Sequence, residues 1–364
     1  MSEEGQGSTE HPTTVGEGHV LSEVRNRIGH LTLNRPAGLN ALTLDMVRTL
    51  RRCLDAWADD PHIQAVLLSG NGERAFCAGG DIRSLYDSYQ AGDSLHTDFF
   101  VEEYALDLAL HNYRKPVVVL MDGLTLGGGM GLAQAADLRI VTERSRLAMP
   151  EVGIGYFPDV GGSYFLPRLP GELGIYLGVT GVQIEAADAL YCGLANWFVD
   201  SDRLATLHER LARIVWTDYP LKDLQSVLAR LGVQVLPEPP LDKLRQPIDH
   251  YFALPDIASM IEQLHTVAIG DSQPWARATA QLMRGRSPLA MSVTLEMLRR
   301  GRQMSLDECF DMELQLDRQW FAHGDFIEGV RALLIDKDKS PRWNPPTVQE
   351  LKPERVDAFF AWEA

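Results

Sequence analysis

The chain has 364 residues, 45% of them hydrophobic, enough for a sizeable core and for about two domains at roughly 150 residues each. Its 34 Lys and Arg against 50 Asp and Glu leave a net charge of −16, which sets the surface against nucleic acid, and no apolar run nears the roughly 18 residues of a membrane span. The 4 cysteines lie far apart without CxxC spacing and the 10 histidines include no HExxH pair, so the reading is of a reduced, cytoplasmic protein with no metal site.

Residues 1–18, rich in Glu, Gly, Ser and Thr and free of Arg, read as a disordered tail and as neither a secretory signal nor an Arg-rich transit peptide. From His19 to Leu33 alternating apolar positions broken at Asn26–Gly29 predict a strand, a turn and a strand. Thr43 is a candidate N-cap for a helix to Trp57, whose Leu44, Val47, Leu50, Leu54 and Trp57 recur at helical spacing. Strands are then expected at Ile63–Leu68, Val117–Met121 and Leu138–Val141, with helices at Ile82–Tyr89, Phe99–Asn112 and Gly128–Ala136. Strands alternating with helices through short Gly-rich connections predict an α/β core over residues 19–215. After Trp216 helical patterns dominate (Leu221–Leu231, Ile257–Ala268, Trp275–Arg284, Ala290–Arg300, Leu306–Trp320). Pro237–Pro240 reads as a linker and Ser340–Pro346 as an extended ending.

Three segments invite a chemical reading. Ala75-Phe76-Cys77-Ala78-Gly79-Gly80-Asp81 follows a strand and enters a helix, where small residues let backbone N–H groups approach a ligand; a plain turn with Asp81 as N-cap explains it equally well. Gly127-Gly128-Gly129 sits between an apolar strand and a small-residue helix and does not fit the dinucleotide pattern GxGxxG; close helix packing is its structural alternative. Ala148–Gly162, reading AMPEVGIGYFPDVGG, places Glu151 and Asp159 in Gly/Pro-shaped backbone just after an apolar run, so both are candidate catalytic acids, with two surface loop acids as the alternative. Glu103 shares an apolar helix stripe with Phe99, Leu106 and Leu110 and should point inwards or into a cleft, a half-exposed helix acid being the alternative.

Taken in order, Asn34-Arg35-Pro36, Leu39-Asn40-Ala41-Leu42, AFCAGGD, DGLTLGGGMGL and AMPEVGIGYFPDVGG resemble the crotonase superfamily of acyl-CoA enzymes. SYFLPRL at Ser163–Leu169 and the stretch from His323 to Asp338 resemble its 3-hydroxyisobutyryl-CoA hydrolase branch. The resemblance implies a repeated ββα spiral core with a C-terminal helical region, residues 216–364, covering the active site. It implies an acyl-CoA partner, with CoA as part of the substrate and no separate cofactor, and it leaves a homo-oligomer open. It implies that the N–H groups of Gly80 and Gly128 hold the thioester oxygen, that Glu151 acts as nucleophile or base with Asp159 beside it, and that Glu103 lines the substrate site. Arg83 matches a position often basic near the CoA phosphates, an ordinary solvated Arg being the alternative. Family hydratases carry a glutamate where this chain has Gly131, and glycine cannot move a proton, which favours thioester hydrolysis, in valine breakdown, over alkene hydration. A hydratase or isomerase, or a non-catalytic acyl-CoA-binding protein, are the alternatives.

Overall fold

The computed structural model describes residues 18–231, 236–266 and 270–362, so the predicted tail lies outside the described residues except for Gly18. β1 (Val20–Arg25) and β2 (Ile28–Leu33) form the expected hairpin, whose two-residue turn places Asn26 and Arg27 at φ 47° and 63°. Such a turn matches the twist of its strands but favours Asn or Gly. Asn26 is tied down by its Nδ2, which donates to the carbonyls of Leu211 and Ile214 at 2.9 and 3.0 Å. α1 (Leu44–Ala58) starts where expected, with Thr43 Oγ1 accepting from the Met46 N–H.

The chain then winds through a repeating unit. β3 (Ala65–Gly70), β5 (Val117–Met121) and β7 (Leu138–Val141) join β2 in parallel, and β10 (Trp197–Phe198) adds to β7, giving the six-stranded order β1-β2-β3-β5-β7-β10. A short strand follows each of the three central ones. These are β4 (Ala75–Cys77), β6 (Leu124–Leu126) and β8 (Arg146–Ala148), parallel to one another and closed by the antiparallel β9 (Ile184–Glu185) in a second, four-stranded sheet. Helices α2 (Ile82–Ala91), α3 (Leu95–His111) and α4 (Gly128–Gln134) complete the turns of this ββα spiral.

Alternation along the large sheet splits the interior. Val66, Leu68, Val117, Val119 and Met121 join the main core, whereas Ala65, Leu67, Val118, Leu120 and Ile140 face the other way. Leu207 and Leu211, on the helix Leu204–Leu211, and Leu224 and Leu228, on the helix Pro220–Ala229, cover this second face. The expected helices beyond it are found at Ile257–Thr266, Gln273–Arg284, Pro288–Gly301 and Leu306–His323. The Pro237–Pro240 linker reading needs correction at its end, because Pro240 opens a helix running to Tyr251. Proline fits the first helical turn, where its missing N–H would have no partner, and the Leu241 N–H finds Asp188 Oδ1 at 2.9 Å.

Candidate active site

Three site elements issue from the carboxyl ends of the three parallel strands of the small sheet. Gly80 follows β4, Gly128 follows β6 and Glu151 follows β8. Parallel strands end on the same side, so the topology brings together residues 71 positions apart in the chain.

The Asn34–Leu42 segment explains how Gly80 is presented. Asn40 Nδ2 donates to the Asn71 and Ala75 carbonyls, and its Oδ1 accepts from the Arg35 N–H. The Leu42 N–H then donates to Gly79 O, while Leu42 O accepts from the Asp81 N–H, both at 2.8 Å. Those two bonds straddle Gly80, whose own N–H points away from Leu42 and meets no backbone or side-chain acceptor among the described residues. Asp81 has a supporting part, since one carboxylate oxygen pairs with Arg35 at 2.9 Å and the other caps α2. Gly128 is the first residue of α4, where an N–H has no intrahelical acceptor. The two glycine loops touch, a Cβ built on Gly79 falling 3.7 Å from the Gly128 nitrogen.

Side chains would spoil this packing. A Cβ at Gly127 would stand 2.7 Å from Glu151 Oε1, and one at Gly128 only 2.4 Å from Glu103 Oε1. A Cβ at Gly131 would strike Val160 Cβ at 2.6 Å and Asp107 Oδ2 at 2.7 Å. The position where hydratases carry an acid therefore has no room for a side chain.

Asp159 is held by the Tyr104 hydroxyl, which donates to its Oδ2 at 2.8 Å. The backbone beyond it is strained, with β-branched Val160 at φ 51° followed by Gly161 at φ 86°. Buried Glu313, from the Leu306–His323 helix, grips this turn. Its Oε2 accepts the Gly161 N–H at 2.8 Å and its Oε1 the Ser163 N–H at 2.9 Å, besides bonding the Ser163 hydroxyl. One turn along the same helix, Asp317 accepts the Tyr156 hydroxyl at 2.7 Å.

Burial dominates the electrostatics. It raises Asp159 to about 7, and Glu313 and Asp317 each to about 8. Glu151, Glu103 and Asp107 are driven well above the ordinary carboxylate range by the same desolvation, reinforced by neighbouring acids. Glu151 Oε2, Glu103 Oε1 and both Asp107 oxygens are buried without a hydrogen-bond partner. Such oxygens are costly to hide in the ionised form, in keeping with the raised pKa values of these acids.

A cleft of about 370 Å³ opens onto Gly80, Arg83, Gly128, Glu151 and Asp159, with Tyr156 in its wall. Glu103 is not in that wall; it stands behind Gly128, against its Cα. Arg83 lies at the exposed mouth, 3.9 Å from Asp87. Leu333 and Leu334 close the mouth from the late sequence stretch, where Arg331 is clamped by Glu328, Asp336 and Asp338. A larger groove of about 760 Å³ between the Leu204–Leu211 and Pro220–Ala229 helices has no buried titratable side chain in its lining. Tyr104, Asp107, Tyr156, Glu313 and Asp317 are not among the residues that the sequence singles out. The signal existed, because Glu313 and Asp317 share a helical stripe with Phe310, Leu316 and Trp320, the pattern that marks Glu103.

The sequence model of the enoyl-CoA hydratase/isomerase family matches residues 28–360. The chain belongs to this family. It is 40% identical over 357 residues to the 3-hydroxyisobutyryl-CoA hydrolase, mitochondrial, of Xenopus tropicalis, covering 95% of this chain and 90% of the relative. The Homo sapiens protein of that name is 39% identical over 350 residues, 94% of this chain and 88% of the relative. Among solved structures, a carnitinyl-CoA dehydratase from Mycobacterium thermoresistibile superposes with a TM-score of 0.87 at 37% identity, covering 95% of this chain and 97% of its own. An enoyl-CoA hydratase from Rhodobacter sphaeroides 2.4.1 does so with a TM-score of 0.86 at 38% identity, covering 94% and 97%. These family members share the ββα spiral and the helical half.

The cytoplasmic expectation does not stand, because the curated relatives are mitochondrial proteins by name. Its physical basis was too coarse. Unpaired cysteines, such as the free Cys53, Cys77, Cys192 and Cys309, argue against an oxidising compartment and do not choose among reducing ones.

Proposed function

We propose that this family member hydrolyses the thioester of 3-hydroxyisobutyryl-CoA, with 3-hydroxypropionyl-CoA as the next substrate. The observation that carries this reading is that Glu151 and Asp159 line one cleft together with Gly80 and Gly128, while Gly131 has no room for a second hydratase acid. The likeness to curated 3-hydroxyisobutyryl-CoA hydrolases over nearly the whole chain supports it.

In this reading the thioester oxygen lies between the two N–H groups, which oppose the negative charge that grows there in the tetrahedral transition state. Removing one such donor costs about 3 kcal/mol of barrier in other enzymes. Glu151 either attacks the carbonyl carbon, expelling CoA thiolate to leave a mixed anhydride that water opens, or takes a proton from the attacking water. On both routes the C–S bond breaks, the sulfur gains a proton and the acyl carbon gains an oxygen, taken from water directly or from Glu151, whose oxygen water then replaces. Asp159 orients the substrate's hydroxyl or relays the proton, and Glu103 steadies Gly128 from behind. Arg83, at the mouth, faces the CoA phosphates.

The deciding experiment incubates the protein separately with 3-hydroxyisobutyryl-CoA and crotonyl-CoA, following free thiol and the conjugated alkene. Thiol release from the hydroxyacyl substrate, with the alkene untouched, is expected. Loss of the alkene without thiol release would select hydration, the activity named for the Rhodobacter neighbour. In a single turnover in ¹⁸O-water, label in Glu151 marks an anhydride opened at the Glu151 carboxyl carbon, whereas direct attack of water on the thioester leaves all the label in the product acid.

A further inference from the structure

The Asp159 carboxyl is carried on a turn that its own sequence does not favour. Asp159 O accepts the Gly162 N–H at 2.7 Å, and the two residues between them, Val160 and Gly161, have φ of 51° and 86°. Positive φ at both central positions, with that bond across them, defines a type I′ turn. Such turns take Asn, Asp or Gly at the first central position, and a β-branched side chain there crowds its own backbone. Gly161 suits its place and Val160 does not, so the conformation has to be imposed from outside the loop.

Glu313 supplies the constraint. Its Oε2 accepts the Gly161 N–H at 2.8 Å, and its Oε1 accepts the Ser163 N–H at 2.9 Å together with the Ser163 hydroxyl. One buried carboxyl thus ties the N–H groups on either side of Gly162, whose own N–H closes the turn. It comes from the Leu306–His323 helix, 150 positions beyond Ser163. Phe310, three residues earlier on that helix, packs against the same turn, its Cζ 3.2 Å from where a Gly161 Cβ would stand. The Phe310 ring also meets the ring of Tyr104, at 6.0 Å between centroids, and Tyr104 donates to Asp159 Oδ2 at 2.8 Å. The helix therefore reaches Asp159 by two routes, through its backbone and through its hydroxyl partner. Glu313 does not line the cleft, so whatever it does for a substrate it does through the turn.

We infer that Glu313 is a positioning residue for the active site: it holds the Asp159–Gly162 turn in a conformation that Val160 opposes, and thereby keeps the Asp159 carboxyl at the Tyr104 hydroxyl and in the cleft. Without the two backbone bonds to Glu313, Val160 returns to negative φ, the peptide groups on either side of it rotate, and the carboxyl carried by the preceding residue is displaced. The same reasoning names a substitution that relieves the need for the clamp. Val160→Asn gives the turn the Asn-Gly centre that type I′ geometry prefers. The new amide would have a partner at hand, because Val160 Cβ and the unpartnered Asp107 Oδ2 both lie within 2.7 Å of the point where a Gly131 Cβ would stand.

The part given to Asp159 in catalysis rests on the proposed hydrolase reading, but the hold on the turn does not, so a kinetic and a structural measurement are paired on Glu313→Gln. That variant keeps the volume and turns an amide N–H₂ towards one of the two backbone N–H groups, leaving only the other with an acceptor. In thiol release from 3-hydroxyisobutyryl-CoA, kcat is expected to fall about a hundred-fold with KM little changed, the scale of loss when a reacting group is displaced by about 1 Å. Adding Val160→Asn to Glu313→Gln should recover at least about ten-fold of that loss, equivalent to 1.4 kcal/mol of barrier. Unchanged kcat in Glu313→Gln, or no recovery with Val160→Asn, overturns the inference, because a loss of general packing would not be mended by a better turn residue. A crystal structure of Glu313→Gln is expected to show Val160 at negative φ and the Tyr104–Asp159 bond broken; Val160 still near 51° with that bond intact overturns the inference whatever the kinetics. If the turn moves as expected but wild-type protein releases no thiol, it is the hydrolase reading that fails. Should Glu313→Gln fail to fold, the double variant with Val160→Asn decides: it is expected to fold with the turn intact, and a double variant that is also unfolded overturns the inference.

Discussion

Gly131→Ala tests the structural reason for the missing hydratase acid, and two effects of opposite sign compete in it. Gly131 lies inside α4, where alanine is the better helix former by about 1 kcal/mol. Against that, the new methyl would meet Val160 Cβ at 2.6 Å, Val160 Cγ2 at 3.0 Å and Asp107 Oδ2 at 2.7 Å. Overpacking of a tight interior costs about 1–3 kcal/mol, and three contacts at or below 3.0 Å place this case at the upper end. Neither neighbour yields freely, since Asp107 is fully buried and Val160 is followed by the Gly161 N–H bound to Glu313 at 2.8 Å. Crowding therefore wins, for a net loss of about 2 kcal/mol, read as a lower midpoint in urea unfolding at unchanged slope. Because Val160 carries Asp159 on its N-terminal side, kcat for thiol release should fall by about ten-fold, equivalent to 1.4 kcal/mol of barrier. A variant about 1 kcal/mol more stable than wild type, with undiminished kcat, would refute the steric account of this position.

Glu151→Gln should abolish thiol release while acyl-CoA binding, measured by calorimetry, stays within a few-fold of wild type; wild-type turnover in that variant would sink the assignment. Gly128→Ala brings a methyl to 2.4 Å from Glu103 Oε1, so carboxylate and N–H donor must part; kcat should drop by roughly a hundred-fold with KM little changed. For Glu313, the folded chain holds the carboxyl protonated up to about 8, whereas the unfolded chain releases that proton in the ordinary carboxylate range. Between those limits the native state binds more protons, so this group's stabilisation is complete at low pH and declines as pH rises, by about 1.4 kcal/mol per unit. Glu313→Gln should flatten the pH dependence of unfolding free energy by that amount over pH 5–7; parallel curves for the two proteins would refute it.

The sequence carries the spiral plainly, because its strands are β-rich apolar runs and its turns are punctuated by glycine. Gly80, Gly128 and Glu151 are legible through the motifs that resemble the family, whereas the three-residue strands β4, β6 and β8 that bring them to one side are too short to stand out as strands. Asp159 is legible only as an acid in a shaped loop. What fixes it, the Tyr104 hydroxyl and the Glu313 carboxylate, comes from chain segments 55 and 154 positions away, and nothing local announces such contacts. Glu103 illustrates the limit from the other side: its helical phase gives its burial correctly, yet phase cannot tell a cleft wall from the back of Gly128. The Pro240–Tyr251 helix hides behind its own prolines, Pro240 at the first turn and Pro247 within, since local rules read proline as punctuation.

In the proposed reading the two halves of the chain divide the work in a way that follows from their physics. The spiral would supply what must be rigid, backbone donors fixed by bonds on either side of Gly80 and by the start of α4 at Gly128. The Leu306–His323 helix adds a different kind of support, to the loop that carries Asp159. Glu313 holds the strained turn after Asp159 and bears no bond to the Asp159 carboxyl, while one helical turn away Asp317 accepts the hydroxyl of Tyr156, which lies in the cleft wall. A spiral without this helix would therefore keep both glycine loops and Glu151 but lose the buried carboxyl that holds the backbone beside Asp159.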